Sequence, residues 1–252
     1  MDARQHRAAL AALEIIEWVP CPGGMGAVLP EPALQQEEKE HPVLESPLAP
    51  QTPDQRAASI AQLGWEALRA RVAACTACEL SRSRTQTVFG VGDPGARLVI
   101  VGEAPGAEED RQGEPFVGPA GRLLDEMLRA IGLGREQVYI CNILKCRPPN
   151  NADPTPAQVA SCRPFLARQI ALINPQLILA LGRVAAQNLL QVTTPLNQLR
   201  GRIHHCATVD AGTLLPVWVT YHPAYLLRSP QEKARAWEDL KAVRTLLERP
   251  SA

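Results

Sequence analysis

The 252-residue chain has no apolar run approaching the ~20 residues that a membrane-spanning helix needs. Its N-terminus has no basic segment followed by a long apolar stretch. The apolar residues from Ala8 to Leu13 meet Glu14 at once, and no cleavage site follows, so a secretory leader is not expected. Net charge is absent as well, the formal total being zero, and no dense basic patch of the repressor kind is present. There is no internal repeat. The odd cysteine count, seven, leaves no complete disulfide framework. These absences point to a soluble, cytoplasmic protein whose cysteines are free thiols or metal ligands.

The zero net charge hides an uneven distribution. Residues 1–58 carry four Lys/Arg against nine Asp/Glu, and residues 59–252 carry 22 against 17. The second part is mildly basic, which is compatible with phosphate contact. Residues 1–21 are read as a tail with a short helix over 4–17, where Leu10, Leu13 and Ile16 line an apolar side. This helix is either a loosely docked tail or a motif that binds a protein partner. Residues 22–58 contain seven prolines from Pro22 to Pro53, an acidic run at Glu37, Glu38 and Glu40, and no aromatic residue. Such a segment buries too little to offset its ordering entropy and is expected to be a disordered linker. The folded domain is expected over 59–252.

Within that domain a helix is expected from Ser59 to about Ala73. Four short apolar runs read as buried strands: Leu98–Val101, Val138–Ile143, Leu177–Leu181 and Val217–Tyr221. Helical stretches lie between and after them, at about 119–131, 156–173, 183–191 and 231–248, and Thr155-Pro156 supplies a good cap and first turn for the second. This alternation predicts an α/β fold with a mostly parallel four-stranded sheet and helices on both faces. Parallel strands bring their carboxyl ends to one edge, where ligand sites form. Glu103 after the first strand, Asn142 at the end of the second and His222 after the fourth should therefore converge, although 119 positions separate the first from the last.

Cys75-x-x-Cys78 is a chelating pair, and Cys146 and Cys162 stand 16 positions apart. Together they suit a closed four-thiolate site, but spacing alone leaves zinc and a 4Fe–4S cluster both open, as it does four unrelated buried thiols. Cys141 sits in an apolar strand and reads as a core thiol. His204, His205 and Cys206 alternate along a strand and make a poor joint site. Cys21 belongs to the tail. The glycine-rich stretch from Gly102 to Gly106 lacks both the Lys-Ser/Thr of a phosphate loop and the G-x-G-x-x-G of a dinucleotide site.

Four long motifs occur in order. They are Gly102-Glu103-Ala104-Pro105-Gly106, the run Gly113 to Gly121 containing Pro115-Phe116-Val117, then Asn142-Ile143-Leu144-Lys145-Cys146-Arg147-Pro148-Pro149, and His222-Pro223-Ala224-Tyr225-Leu226-Leu227-Arg228. Over about residues 65–248 the chain resembles the family 4 uracil-DNA glycosylases, the iron–sulfur branch of their superfamily. The resemblance implies uracil-containing DNA as partner, a monomer, and hydrolysis of the base–sugar bond to leave an abasic site. It also implies a 4Fe–4S cluster on Cys75, Cys78, Cys146 and Cys162. Phe116 would stack on a flipped uracil, and Asn142 would read its polar edge. Gly102 and Ala104 would flank the base, and His222 would donate to the departing uracil oxygen. Glu103 would sit beside the attacking water, either activating it or ordering the loop, and Asn151 would help hold that water. Arg228 and the stretch from Tyr225 to Leu227 would enter the duplex or clamp its backbone. Lys145 and Arg147 would meet phosphates. The doublet Glu103-Ala104 replaces the Gln-Asp of the better-known branch, and Ala104 cannot act as a base. A non-enzymatic iron–sulfur module that binds nucleic acid is the rival, since it would keep the cysteines without needing Phe116, Asn142 and His222 together.

Overall fold

In the computed structural model, residues 52–207 and 214–248 are described. The proposed tail helix over 4–17 lies outside them. In chain order the elements are α1 (Pro53–Ala61), α2 (Trp65–Ala73), β1 (Val91–Gly92), β2 (Leu98–Gly102), α3 (Ala107–Gln112), α4 (Pro119–Ala130), β3 (Tyr139–Asn142) and α5 (Pro156–Ile173). They continue with β4 (Leu177–Leu181), α6 (Gly182–Leu190), α7 (Leu196–Leu199), β5 (His204–Ala207), β6 (Leu214–Thr220), α8 (Pro223–Arg228) and α9 (Lys233–Glu248).

The strands form one sheet in the order β1-β3-β2-β4-β6-β5. The four expected strands are its parallel centre, and β1 and β5 add an antiparallel edge on each side. Sequence reading missed β1, and it read His204–Cys206 as a strand without placing it in the sheet. Val91–Gly92 is two residues long, and His204–Ala207 has an intermediate–exposed–buried–exposed pattern without an apolar run.

Every residue of β2, β3 and β4 is buried, which is why each reads as an unbroken apolar run. One face of β2 sends Val99 and Val101 into a core shared with Leu166 and Ile170 of α5 and Ala185 and Ala186 of α6. The opposite face sends Leu98 and Ile100 against Leu124 and Leu128 of α4 and Leu240 and Val243 of α9. A smaller core joins Ile60 of α1 and Leu68 and Val72 of α2 to Phe165 on the outer side of α5.

The expected domain start at Ser59 falls inside α1. Thr52 caps that helix, its hydroxyl accepting from the Gln55 N–H at 3.3 Å while the Gln55 side chain accepts from the Thr52 N–H at 3.0 Å. Pro53, counted as a linker proline by composition, instead occupies the first helical turn, where a missing N–H costs nothing. The single helix expected from Ser59 to Ala73 is in fact two, with Gly64 capping the second.

Register places the ends of the central strands level. Gly102 pairs with Asn142, and Leu181 pairs with Thr220, two residues before His222. The connections leaving β2 and β4 run in opposite directions, to β3 on one side and to β5 and then β6 on the other, so the crevice at their carboxyl ends is a topological switch point.

Candidate active site

A cavity of about 430 Å³ opens at this edge. Glu103, Ala104, Phe116, Asn142, Asn151, His222 and Arg228 all line it, while Gly102 does not line it and packs against Asn142 and Phe116. A Cβ on Gly102 would stand 2.4 Å from Asn142 Oδ1 and 2.6 Å from Phe116 Cζ. Hydrogen is therefore the only side chain that lets the amide and the ring close over the end of β2.

Asn142 is 2% exposed, and its Oδ1 has no hydrogen-bond partner among the described residues. A buried acceptor left unpaired is costly unless a ligand supplies the donor. The loop around the amide is well tied. The Ile143 N–H donates to the Gly102 carbonyl at 2.9 Å and the Leu144 N–H to the Glu103 carbonyl at 3.0 Å.

The Phe116 and His222 rings stack at 5.5 Å with 29° between planes. Phe116 holds a left-handed backbone (φ 55°), a strained conformation for a bulky residue. Arg135 secures it by donating to the Phe116 carbonyl at 3.2 Å and to the Pro115 carbonyl, and by pairing with Asp125 at 3.2 Å. Gly121 admits that carbonyl, since a Cβ there would lie 1.7 Å from it. The carboxylate of Glu109 completes the support. One oxygen accepts from Val117 and Gly118 N–H at 3.0 and 3.2 Å, and the other from Gly106 N–H at 3.1 Å. Sequence reading missed Glu109 and Arg135. The spacing Gly106-x-x-Glu109 is a capping-box signal and could have found the first; Arg135 has no local signal.

His222 caps α8. Its Nδ1 accepts the Ala224 N–H at 3.1 Å, which leaves Nε2 to carry the proton. Burial, with the Arg228 charge adding to it and Glu109 opposing, pulls its pKa down to about 4. The ring is a neutral donor at physiological pH. Glu103 moves the other way: burial and the charge of Asp153 raise its pKa above the usual carboxylate range, with Arg183 opposing. Arg183 itself pairs with Asp153 at 2.6 Å.

Asn151 sits on a turn in which Asn150 and Asn151 both have left-handed backbones (φ 56° and 52°), a conformation asparagine tolerates. Its Oδ1 accepts from Arg147 Nε at 2.8 Å. Arg147, expected at a phosphate, thus turns to hold Asn151 and does not line the cavity. Lys145, also expected at a phosphate, is a correction. It is 1% exposed, with Nζ donating to the Asn142 carbonyl at 2.9 Å, so no DNA backbone can reach it. The lysine follows a strand that ends deep in the sheet edge, and its stem turns inward.

The four cysteines also meet. Cys75, Cys78, Cys146 and Cys162 line a second, smaller pocket with Arg84, Lys145 and Phe165. Three donors face the sulfurs: Arg84 Nη1 at 3.1 Å from Cys146 Sγ, Arg56 Nη2 at 3.6 Å from Cys75 Sγ, and the Lys145 N–H at 3.3 Å from Cys162 Sγ. Burial raises the Cys78, Cys146 and Cys162 thiols, the last to about 12, while Arg84 or Lys145 pulls each of them back. Among the described residues, no three His, Cys, Asp or Glu side chains are grouped to hold one metal ion. Cys141 and Cys206 are buried in the core, away from this pocket.

The family model described as the uracil DNA glycosylase superfamily matches residues 89–241, which include the whole sheet edge and the cavity. The chain belongs to the uracil-DNA glycosylase superfamily.

Several curated members of the superfamily are similar over most of its length. The Type-4 uracil-DNA glycosylase of Archaeoglobus fulgidus is 46% identical over 176 residues, 68% of this chain and 87% of that protein. Its namesake from Thermotoga maritima is 43% identical over 187 residues, 73% and 95% of the two chains. That of Sulfurisphaera tokodaii is 40% identical over 186 residues, 72% and 84%.

Proposed function

We infer that the protein removes uracil from DNA by hydrolysing the base–sugar bond. The observation that carries this reading is the buried Asn142 amide with an unpaired oxygen, which lines one cavity of about 430 Å³ together with a neutral His222 and the Phe116 ring stacked on it. Membership of the superfamily, and relatives named Type-4 uracil-DNA glycosylase, support it.

Uracil offers a ring N–H between two carbonyl oxygens. Asn142 Oδ1 would accept from that N–H, and the amide N–H would donate to a carbonyl. Cytosine places an acceptor where uracil carries the N–H and leaves the Asn142 oxygen unpaired, which is the stronger form of discrimination. The base must leave the duplex to arrive here, at a cost of a few kcal/mol, and Phe116 would receive its face. Cleavage builds negative charge on the base and positive charge on the sugar. His222 Nε2–H, fixed by the bond at Nδ1, would stabilise the first. With a pKa near 4 it supplies a hydrogen bond and keeps its proton. Glu103 stands where a carboxylate can favour the sugar cation and accept from water. Asn151, its oxygen occupied by Arg147, would have its N–H groups left for the same water. Arg228 and the exposed Tyr225 line the cavity, Leu227 of the same helix is exposed beside them, and together they would suit a duplex opened at one base.

We also propose that Cys75, Cys78, Cys146 and Cys162 hold a 4Fe–4S cluster. The donor set fits it. Four cysteine sulfurs, that of Cys146 buried and the other three on half-buried residues, share one pocket ringed by cations and N–H donors, which suits an anionic occupant. A cluster puts each thiolate on its own iron, so its sulfurs stand farther apart than the ~3.8 Å of a single tetrahedral zinc with ~2.3 Å bonds. When bound, such a group would cross-link the segment after α2, the loop after β3 and α5. Free thiols of this kind agree with a cytoplasmic setting, and no helix among the described residues is long and apolar enough to cross a membrane.

The activity is tested with an end-labelled duplex carrying one uracil, treated with alkali after incubation, beside thymine and cytosine controls. Cleavage at uracil alone is expected. An intact uracil strand, with protein that retains iron and sulfide, would overturn the assignment in favour of a binding module.

A further inference from the structure

Lys145 lines the cysteine pocket and also reaches the residue proposed to read the base. The ammonium is 1% exposed, and among the described residues no carboxylate pairs with it. The one hydrogen bond it makes runs to the Asn142 carbonyl, 2.9 Å away. Its charge also acts on the Cys162 and Cys141 thiols, lowering both against burial. The backbone of the same residue is pinned on both sides, its N–H to Cys162 Sγ at 3.3 Å and its carbonyl to the Val88 N–H at 2.8 Å. A buried cation with a single carbonyl partner is costly unless an anion lies close by. Among the described residues that line this pocket, only the cysteine sulfurs can carry negative charge, with Glu79 next to Cys78 acting from outside the lining.

Three residues therefore link the two sites. Asn142 aims its amide into the base cavity, Lys145 clasps the carbonyl of that same residue, and Cys162 meets Lys145 at both charge and backbone. We propose that Lys145 is a positioning residue for base recognition, held in place by the anionic cysteine site so that the state of that site sets the aim of Asn142. This rests on the uracil-excising and cluster-holding readings above. It assigns no bond-making step to Lys145. Its effect is exerted through the peptide of the residue that reads the base.

The test is Lys145→Met, which fills the same channel without charge or donor, in holoenzyme purified with its iron. We expect iron and sulfide to be retained and the reduction potential measured by protein-film voltammetry to move to a more negative value, because a nearby cation that favours the added electron is gone. Single-turnover excision should fall roughly tenfold to a hundredfold, as for other residues that orient a metal-site neighbour, with duplex affinity within about twofold of wild type. An unmoved potential would show that the ammonium does not face the cluster. A moved potential with wild-type excision would show that it does not govern Asn142. Either overturns the proposal. If K145M fails to load iron, wild-type protein decides by reciprocity. Binding a non-cleavable uracil duplex should shift the potential relative to the matching thymine duplex, and equal potentials would sink the link. Wild-type protein without iron, or without uracil excision, would remove the underlying readings. That result is distinct from a loaded, active wild type whose K145M variant matches it.

Discussion

The base cavity and the cysteine pocket are built from the same stretch of chain and solve opposite electrostatic problems. Asn142 ends β3 and serves the first; Cys146, four residues later, serves the second. Around the base cavity the reading groups are kept uncharged. The amide is neutral by nature, and burial holds His222 neutral with a pKa near 4. Around the cysteine pocket three cations gather, Arg56, Arg84 and Lys145, against the one carboxylate of Glu79 beside Cys78. The difference fits the two occupants. A flipped base is recognised by direction, through hydrogen bonds from fixed neutral groups, whereas a four-thiolate site is recognised by charge.

The sharpest way to break this comparison is to damage one pocket and look for the effect in the other. His222→Ala should lower turnover by roughly 10²–10³-fold, as loss of a preorganised donor does, while iron content stays at the wild-type value. A change confined to duplex affinity would contradict the leaving-group role. Asn142→Asp should cost roughly 10²-fold or more, again with iron retained. Wild-type excision by that variant would take Asn142 out of the reading role.

A smaller effect concerns pH. Because the fold disfavours protonated His222, the stability and activity that depend on its neutral form should be complete above the ordinary histidine value of 6.5 and be lost as pH falls toward about 4. The acid limb of a pH profile for excision, absent in the alanine variant, reports this directly. An inflection at 6.5 would mean that the ring is not held neutral by its surroundings. The smallest effect should come from removing residues 1–51, with excision on a short duplex within about twofold of wild type. Cutting at residue 58 instead deletes most of α1 and with it Arg56, whose guanidinium reaches Cys75 Sγ and donates to the Ser161 carbonyl at 2.7 Å. That truncation should lose iron roughly tenfold faster on dilution. Equal iron retention by the two truncations would show that α1 is not part of the cysteine site.

These outcomes bear on how far the residues alone could be read. Pattern placed the four central strands within a few residues, because strands buried on both faces are continuous apolar runs with no competing period. Motif order, together with the rule that parallel strands share a carboxyl edge, brought Glu103, Asn142 and His222 to one cavity. The boundary at Ser59 went astray because proline content was read as disorder, whereas Pro53 after Thr52 begins a helix. The short edge strand Val91–Gly92 went unseen, and the strand at His204–Cys206 was not joined to the sheet, because such pairing comes from neighbours and not from the strand's own composition. Lys145 was the largest error. A lysine in a basic, proline-rich loop looks like a surface phosphate contact, and nothing local announces that its neighbours are thiols from residues 75–78 and 162.

Thus the residues in order settled the class of fold and named, as candidates, the four cysteines and the groups proposed to read the base, because each has a signal carried by its own motif or period. Only the folded chain decided which of those groups stay neutral, that Glu109 and Arg135 hold Phe116 in its strained backbone, that Arg147 serves Asn151, and that Lys145 faces inward. Those are properties of desolvation and of contacts between distant segments, and neither exists until the sheet has closed.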